Sequence, residues 1–313
     1  MNFSKINKFV KKCINNPWCL FYLFESIHWT DHLPDVWLVK LKWRARMGSP
    51  LNVKKPTTFN EKLQWLKLYY HKPEFTVMVD KYAAKKYVAE RIGEEHIIPL
   101  LGVWDKPEDI DFEKLPNQFV LKCNHTSGIG LIICKDKSQL DIEAAINELN
   151  RGLKDDYYKI NREWPYKDVP RKILAEEYKE DESGFELKDY KLYCFNGEPK
   201  YCQVDFGKSE GVTRQDFTRN FYDVNWNLID VQYNHPNDPN RVIPKPSKFD
   251  EMKELARKLS KGEPFMRVDF YNVGEQILFS EITFYPIAAF GWFKPAEWDR
   301  KLGDMITLPE KHL

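Results

Sequence analysis

The sequence predicts an α+β protein, on three observations. Helical spacing and aromatic side chains dominate roughly the first 70 residues, and short apolar runs typical of strands begin near residue 97. From there helices and strands follow one another without the regular alternation of a doubly wound sheet. With 313 residues, of which 42% are hydrophobic, the chain can bury a sizeable core.

The N-terminal segment, residues 1–70, is predicted to be helical. Its clearest signal is "TTFNEKLQWLKLYY", in which Thr58 is a plausible N-cap. Glu61 follows three residues later, and this spacing is typical of a capping box.

Residues 1–14 combine apolar side chains at helical spacing with four lysines. This pattern leaves two interpretations open: a peripheral contact with a membrane surface, or an apolar stripe that docks on the core of the same protein. The apolar run "CLFYLF" at 19–24 is too short to span a bilayer.

The six cysteines stand in apolar or strand-like surroundings without C-x-x-C pairs, which is typical of reduced thiols. We therefore expect a cytoplasmic protein, with membrane association through residues 1–14 as the open alternative.

Further elements follow in order along the chain. A second amphipathic helix is predicted over residues 79–93, ending at Gly93. Strands are predicted in "HIIPLLGVW", "QFVLKC", "GLIICKD" and "KILAEEY", helices over 138–153 and 248–260, and two hairpins, one turning at Asn196-Gly197 and one within 265–286.

The charge balance gives the chain no overall field, so charged partners would have to be recognised by local groups of residues. There are 48 basic and 47 acidic residues, for a net charge of +1, so no global field attracts nucleic acid.

The stretch "FVLKCNHTSGIG", residues 119–130, ends a predicted strand with Lys122 and continues into a loop of small residues. Backbone N–H groups around Ser127, Gly128 and Gly130 could wrap phosphate oxygens. The lysine precedes the glycines, unlike the order in a Walker loop. The alternative is an ordinary hairpin turn with a surface lysine.

The predicted hairpin at 265–286 carries two carboxylates. If its turn centres on Glu275, Asp269 lies opposite Glu281 and Arg267 opposite Thr283. Paired side chains lie about 5 Å apart, so the carboxylates would repel each other unless a divalent cation lay between them. Two alternatives stay open: Arg267 neutralises the pair, or the register differs by one residue.

Strand alternation also predicts which side chains share a face of this hairpin. We expect Arg267, Asp269 and Tyr271 on one face, and Phe279 on the face of Glu281.

Six short motifs in order, "DKYAAKKYV", "FVLKCNHTSGIG", "ILAEEY", "DYKLYCFNG", "RVDFYN" and "SEITFYPIAAF", resemble the ATP-grasp superfamily, and in particular its TupA-like branch associated with teichuronopeptide and capsular polysaccharide synthesis. The match runs from about residue 50 to 300. It implies two α+β lobes that sandwich ATP. The predicted organisation is a helical segment at 1–70 and an ATP-grasp domain at 71–313, with the first lobe ending near 180 and the second beginning near 181.

The resemblance also implies roles for individual residues. Catalytic roles fall to Arg267, which would stabilise the reacting oxyanion, and to Lys122 and Lys191. Asp269 and Glu281 would bind metal, with Thr283 in the place of the family's usual asparagine as the third ligand. The implied nucleotide-binding residues are Lys81, Lys122, Ser127, Gly128 and Gly130 near the phosphates, Glu176, Glu177 and Tyr178 at the adenine, Asp189 at the ribose, and Arg219 from the second lobe.

The activity implied by the resemblance is that of an ATP-dependent carboxylate–amine ligase with ATP and Mg²⁺ as cofactors, which passes through an acyl phosphate. Its expected substrates are an amino acid or acyl group and a sugar, either free or nucleotide-linked. Alternatives are a sugar phosphotransferase, a glycosyltransferase that uses a nucleotide-sugar, and a catalytically silent scaffold.

Overall fold

The computed structural model describes residues 18–183, 187–206 and 218–310. Helices and strands are mixed over these ranges, which confirms the predicted α+β class. The basic segment 1–14 lies outside the described residues.

The N-terminal segment is helical, as predicted, with α1 (Trp18–Ser26), α2 (Asp35–Met47) and α3 (Phe59–Tyr69). The capping box at the start of α3 is confirmed. The Glu61 N–H donates to Thr58 Oγ1 at 3.3 Å, and the Thr58 N–H donates to Glu61 Oε2 at 3.2 Å.

The helix predicted over 79–93 is interrupted at its start. Helix α4 (Glu74–Val79) ends before Asp80, and α5 (Ala83–Ile92) begins after Tyr82. The Asp80 carboxylate accepts the N–H of Tyr82 at 2.8 Å and stabilises a turn, so Lys81 projects from a turn and not from a helix. The predicted end at Gly93 is correct, since this residue caps α5 with φ of 112°.

The smaller sheet has the strand order β1-β4-β2-β3. Its core includes Phe119, Leu121 and Ile173, and the helix α6 packs against it through Leu149. A short helix, α7, follows α6 and precedes β4. The bounds are β1 (Leu100–Trp104), β2 (Phe119–Cys123), β3 (Leu131–Cys134), β4 (Ile173–Glu177), α6 (Ile142–Lys154) and α7 (Tyr157–Asn161).

The larger sheet has the strand order β11-β10-β5-β6-β7-β8. Its strands are β5 (Asp189–Phe195), β6 (Glu198–Phe206), β7 (Thr218–Asp223), β8 (Leu228–Ile229), β10 (Phe265–Val273) and β11 (Gln276–Thr283). A two-stranded ribbon joins β9 (Gln232–Tyr233) to β12 (Phe293–Lys294), and the remaining helices are α8 (Phe249–Ser260) and α9 (Glu297–Asp304).

The predicted hairpin between β5 and β6 is confirmed. Asn196 and Gly197 connect the two strands directly, and their φ angles are 50° and 81°. A two-residue turn of type I′ needs positive φ at both positions, which explains the Asn-Gly sequence.

The two faces of the larger sheet are covered differently. Helix α8 packs on one face, where burial raises the pKa of the Cys194 thiol to about 12 and the Ser260 hydroxyl of α8 donates to the Gly197 carbonyl at 3.2 Å. Helix α3 covers one end of the other face, with the Phe59 ring 5.0 Å from that of Phe265 and 6.1 Å from that of Phe195. Beyond Phe59 this second face becomes polar, and it is the face that carries the candidate site.

Residues 155–167, between α6 and β4, are fastened to the N-terminal helices. Arg162 is buried and donates to the carbonyls of Thr30, Asp31 and Leu33 at 3.3, 2.8 and 3.2 Å. Its Nε also lies 3.2 Å from the Asp35 carboxylate. This contact joins the smaller-sheet lobe to the start of α2.

Candidate active site

The polar face is centred on Asp269 in β10. Strand pairing places Asp269 opposite Lys191 of β5 on one side and opposite Glu281 of β11 on the other. Arg267 lies opposite Thr283, so the predicted pairs across the β10–β11 hairpin are confirmed. Directly paired residues project to the same face, and the five side chains therefore meet.

The hairpin has the predicted pairs, but its turn is not centred on Glu275 and one strand contains a bulge. Val273 pairs with Gln276, so the turn is the two residues Gly274 and Glu275, and the register then shifts between Asp269 and Phe270. Because of this bulge, Phe279 pairs with Phe270 and joins the hydrophobic core. The prediction that Phe279 shares the face of Glu281 is wrong, since an extra residue in one strand reverses the alternation beyond it.

A dense ionic network connects these side chains. Arg267 donates to both oxygens of Asp269, at 2.7 Å from Nε and 2.6 Å from Nη2. The same Nη2 lies 2.9 Å from Glu281 Oε1 and 2.9 Å from Thr283 Oγ1. Lys191 bridges Asp189 at 2.7 Å and Asp269 at 2.8 Å. The cations are thereby fixed in place at the bottom of the site.

Glu281 is a carboxylate that interacts electrostatically with cations from both lobes. Burial raises its pKa, but Lys191 and Arg267 from the larger sheet and Lys81 and Lys122 from the other side outweigh burial and lower it to about 2. Its side chain keeps 36% of its surface exposed. Glu281 is therefore ionised and accessible at neutral pH.

Arg219 lies on the same polar face, further from Glu281. It pairs with Asp205 across β6 and β7, and its Nε donates to Asp205 Oδ1 at 2.7 Å. Gln203 donates to the same oxygen at 2.8 Å and accepts from the Tyr193 hydroxyl at 2.6 Å. A hydrogen-bonded row thus extends the site across the sheet.

On the smaller sheet, Lys122 is held by Glu176. Its Nζ lies 2.6 Å from Glu176 Oε2, while Lys85 of α5 lies 2.8 Å from Oε1. Burial raises the pKa of Glu176, but Lys122 and Lys85 lower it below its ordinary value. The Glu176 side chain therefore positions two lysines, and the predicted adenine contact would fall to other atoms of this strand.

Lys81 fastens the loop that follows β2. Its Nζ donates to the Thr126 carbonyl at 2.6 Å, and the Thr126 hydroxyl donates to the Ile129 carbonyl at 2.6 Å. Burial lowers the pKa of Lys81 below its ordinary value, with Glu281 opposing the shift and Lys122 adding to it. The two predicted phosphate-contacting lysines thus lie within each other's field.

The loop itself divides into a buried base and an exposed tip. Asn124 is buried and donates to Asp80 at 2.8 Å and to the Pro170 carbonyl at 2.7 Å. Burial lowers the pKa of His125 to about 4, so this histidine is neutral at pH 7 and has a structural environment. The tip consists of the exposed residues Ser127 and Gly128.

Gly130 belongs to the base and not to the tip. Its N–H donates to Glu148 at 2.8 Å, and a Cβ built on it would lie 2.6 Å from Cys123 Sγ. Its φ is 68°, a conformation that glycine adopts without strain. The sequence-based view of Gly130 as a phosphate donor is therefore not supported by this geometry.

Glu177 and Tyr178 lie where the chain leaves the smaller sheet. Glu177 pairs with Lys179 at 2.7 Å, and the Tyr178 hydroxyl donates to Glu180 at 3.4 Å. Both side chains are partly exposed, so their assignment to the adenine stays a prediction.

Asp269, Glu281 and Thr283, the predicted metal ligands, already have partners in the structure. Their oxygens are hard donors of the kind Mg²⁺ prefers, but both oxygens of Asp269 are bonded to Arg267 and Lys191. Over the described ranges, no group of three or more His, Cys, Asp or Glu side chains is arranged to hold a metal ion. The three residues fit a metal site that the protein would share with the nucleotide, whose phosphate oxygens would supply the remaining ligands.

Comparison with known families decides the affiliation. The model of the TupA-like ATP-grasp family matches residues 61–307. The chain belongs to this family. Membership confirms the resemblance, the ATP-grasp fold and the expected class of ATP-dependent ligase. A comparison with curated proteins finds no match.

Solved structures similar to the TupA-like chain include D-alanine–D-alanine ligases. That from Helicobacter pylori is 14% identical over 81% of this chain and 68% of its own, with a TM-score of 0.43. The ATP complex from Bacillus anthracis is 15% identical over 74% of this chain and 65% of its own, with a TM-score of 0.42. This chain thus spans about two thirds of their length, and so distant a likeness carries no information on substrates.

Several residues of the site were missed by sequence reasoning. Gln203 and Asp205 alternate with apolar residues along β6, so strand alternation alone could have placed them on the polar face. Lys85 follows Lys81 by four residues, but the turn at Asp80 was not predicted, so the sequence did not show that both lysines belong to the site. Nothing in the sequence marks Glu148 as the partner of Gly130.

Proposed function

We propose that this TupA-like protein is an ATP-dependent carboxylate–amine ligase that acts through an acyl phosphate and modifies a sugar in surface polysaccharide synthesis. The observation that carries the proposal is the convergence of Lys81, Lys122, Lys191 and Arg267 around Glu281. Four cations around one ionised carboxylate form a site for a polyanion whose charge moves during reaction.

The chemistry follows from this charge distribution. An oxygen of the substrate carboxylate attacks the γ-phosphorus of ATP, and the bond to ADP breaks. The amine then attacks the acyl carbon and expels inorganic phosphate, while the nitrogen loses a proton. Lys81 and Lys122 would bind the transferred phosphate. Arg267, fixed by its two bonds to Asp269, would bind the oxyanion of each step.

Magnesium bound at Glu281 would offset phosphate charge during the transfer. The residues that would hold it are Glu281, with Asp269 and Thr283 beside it. The exposed loop tip, Ser127 and Gly128, would cover the nucleotide and exclude water, because an acyl phosphate hydrolyses readily when water reaches it.

The sugar substrate would lie beside residues 284–293, which continue directly from β11. The sugar would bring either the carboxylate, as a uronic acid, or the amine, as an amino sugar.

Calorimetric titration with a non-hydrolysable ATP analogue, with and without Mg²⁺, tests the nucleotide site. We expect Mg²⁺-dependent binding that Lys122→Ala and Glu281→Gln each weaken at least tenfold. Lys114→Ala is a matched control, since Lys114 is exposed and pairs with Asp111. Absence of binding to the unaltered protein, or equal loss in the control, would contradict the proposal.

A hydroxylamine trap tests the acyl phosphate. With ATP, hydroxylamine and either uronic acids or amino acids, we expect hydroxamate and ADP in equal amounts. A phosphorylated sugar that resists hydroxylamine would instead identify a phosphotransferase.

Little in the structure favours a glycosyltransferase. A D-x-D sequence of the kind that such enzymes use occurs at residues 109–111. Both aspartates are exposed, and Asp111 pairs with Lys114 at 2.9 Å.

A further inference from the structure

The N-terminal helices expose a set of large apolar side chains to solvent. Leu20, Leu23 and Phe24 lie on one face of α1, and Ile27 extends that face by one turn with 60% of its surface exposed. Trp29 and Trp37 follow, 59% and 66% exposed. We call these six residues the aromatic stripe. Single exposed apolar residues are common, but a grouped set of this size marks an interaction surface.

Part of the stripe is anchored to the body of the protein. The rings of Phe24 and Trp29 lie 5.2 Å apart, and Arg162 fixes the backbone of residues 30–33 through three carbonyls. Its exposure is therefore a property of the folded chain, because the segment behind it is bonded to the body of the protein.

The charge around the stripe is positive. Lys40 and Arg44 follow Trp37 by three and seven residues on α2, and both are exposed, so cations share the face of that tryptophan. The acidic side chains of residues 18–47 all have partners: Glu25 pairs with Lys42, Asp31 with His28, and Asp35 with Arg162. The residues before α1 add four lysines to the sequence.

We propose that the aromatic stripe is a membrane-binding surface for anionic phospholipids. Tryptophan and other apolar side chains enter the boundary between headgroups and acyl chains, while neighbouring lysines and arginines attract the negative lipid surface. Within the described part of the chain, none of the helices has the length and apolar character needed to span a bilayer. This inference is independent of the proposed ligase chemistry.

Co-sedimentation of the purified full-length protein with vesicles tests the proposal. One set of vesicles contains phosphatidylcholine alone, and the other contains phosphatidylcholine with one quarter phosphatidylglycerol. We expect at least tenfold tighter binding to the anionic vesicles, and a marked loss of binding in high salt, because screening at short range weakens the electrostatic contribution.

Two variants separate the parts of the surface. The apolar variant Ile27→Ser/Trp29→Ala/Trp37→Ala is expected to lose binding at least tenfold to anionic vesicles. The charge variant Lys40→Gln/Arg44→Gln is expected to lower binding several-fold.

The matched control is Trp292→Ala, which removes an exposed tryptophan that lies outside the N-terminal helices in the sequence and is expected to bind within twofold of the unaltered protein. Equal binding to neutral vesicles, or binding that survives the apolar variant, would overturn the proposal. So would a dimer in solution that the apolar variant converts to a monomer, since the stripe would then contact a second copy. Unchanged thermal midpoints exclude unfolding of the variants as the cause of lost binding.

Discussion

Replacing Asp269 with alanine should destabilise the protein strongly, because it leaves two buried cations without their shared partner. Asp269 is fully buried and accepts from Arg267 at 2.7 and 2.6 Å and from Lys191 at 2.8 Å. Breaking such a buried pair costs about 3–5 kcal/mol of the free energy of unfolding. Arg267 keeps Glu281 and Lys191 keeps Asp189, so we expect the lower end of this range.

The assay is thermal unfolding of the ligand-free protein. At roughly 2–4 °C per kcal/mol, a loss of about 3 kcal/mol lowers the midpoint by roughly 6–12 °C. The double variant Arg267→Met/Asp269→Leu removes one charge of each sign and should recover at least half of the loss. Asp250→Ala, at an exposed ion pair on α8, should change the midpoint little. A small drop for Asp269→Ala, or a double variant as unstable as the sum of its parts, would refute the reasoning.

Three further predictions concern the loop that follows β2 and the residues that support it. Gly130→Ala should lower the free energy of unfolding, measured in urea, by about 1–3 kcal/mol, because the added Cβ would overlap the Cys123 thiol at the end of β2. Gly48→Ala is the control and should cost less, since Gly48 has a similar φ but open space around it. Equal costs would contradict the packing argument. The pKa of His125 is lowered to about 4 by burial, so the unfolded chain takes up the proton first as the pH falls below about 6.5. Stability should therefore decrease by up to about 3 kcal/mol between pH 6.5 and 4, and His125→Gln should abolish this slope in unfolding experiments; the same slope in both proteins would speak against it. Lys85→Met should weaken binding of the ATP analogue about tenfold by calorimetry, because Glu176 would then draw the β2 lysine more tightly to itself, and unchanged affinity would show that Lys85 has no such role.

The pairs at the centre of the site were predictable because strand alternation is a strong constraint. Asp269 lies opposite Glu281 as expected, and the turn falls at Gly274 and Glu275, but it is centred between them and not on Glu275, and a bulge that was not predicted compensates for the difference. A bulge inserts one residue without a marked sequence signal, so the orientation of Phe279 could not be derived from periodicity.

Partners from distant parts of the chain were less predictable. The sequence indicated Lys122 and Glu176 as separate site residues. It did not show that Glu176 contacts both Lys122 and Lys85, because the second contact depends on how α5 packs beside the smaller sheet. Similarly, the proposed boundary at residue 70 stays a prediction, although the Phe59 ring of α3 packs within the core of the larger sheet.

The contacts of Arg162 constrain how the two lobes can move. The segment that contains Arg162 runs directly into β4, the strand that carries Glu176. The same segment packs through Trp164 and Tyr166 against the core of the larger sheet, and Arg162 attaches it to the start of α2. Any rotation of the smaller sheet must therefore either bend the chain between this segment and β4 or break these contacts. The position of the N-terminal helices is thus coupled, through this segment, to the strand whose Glu176 holds Lys122.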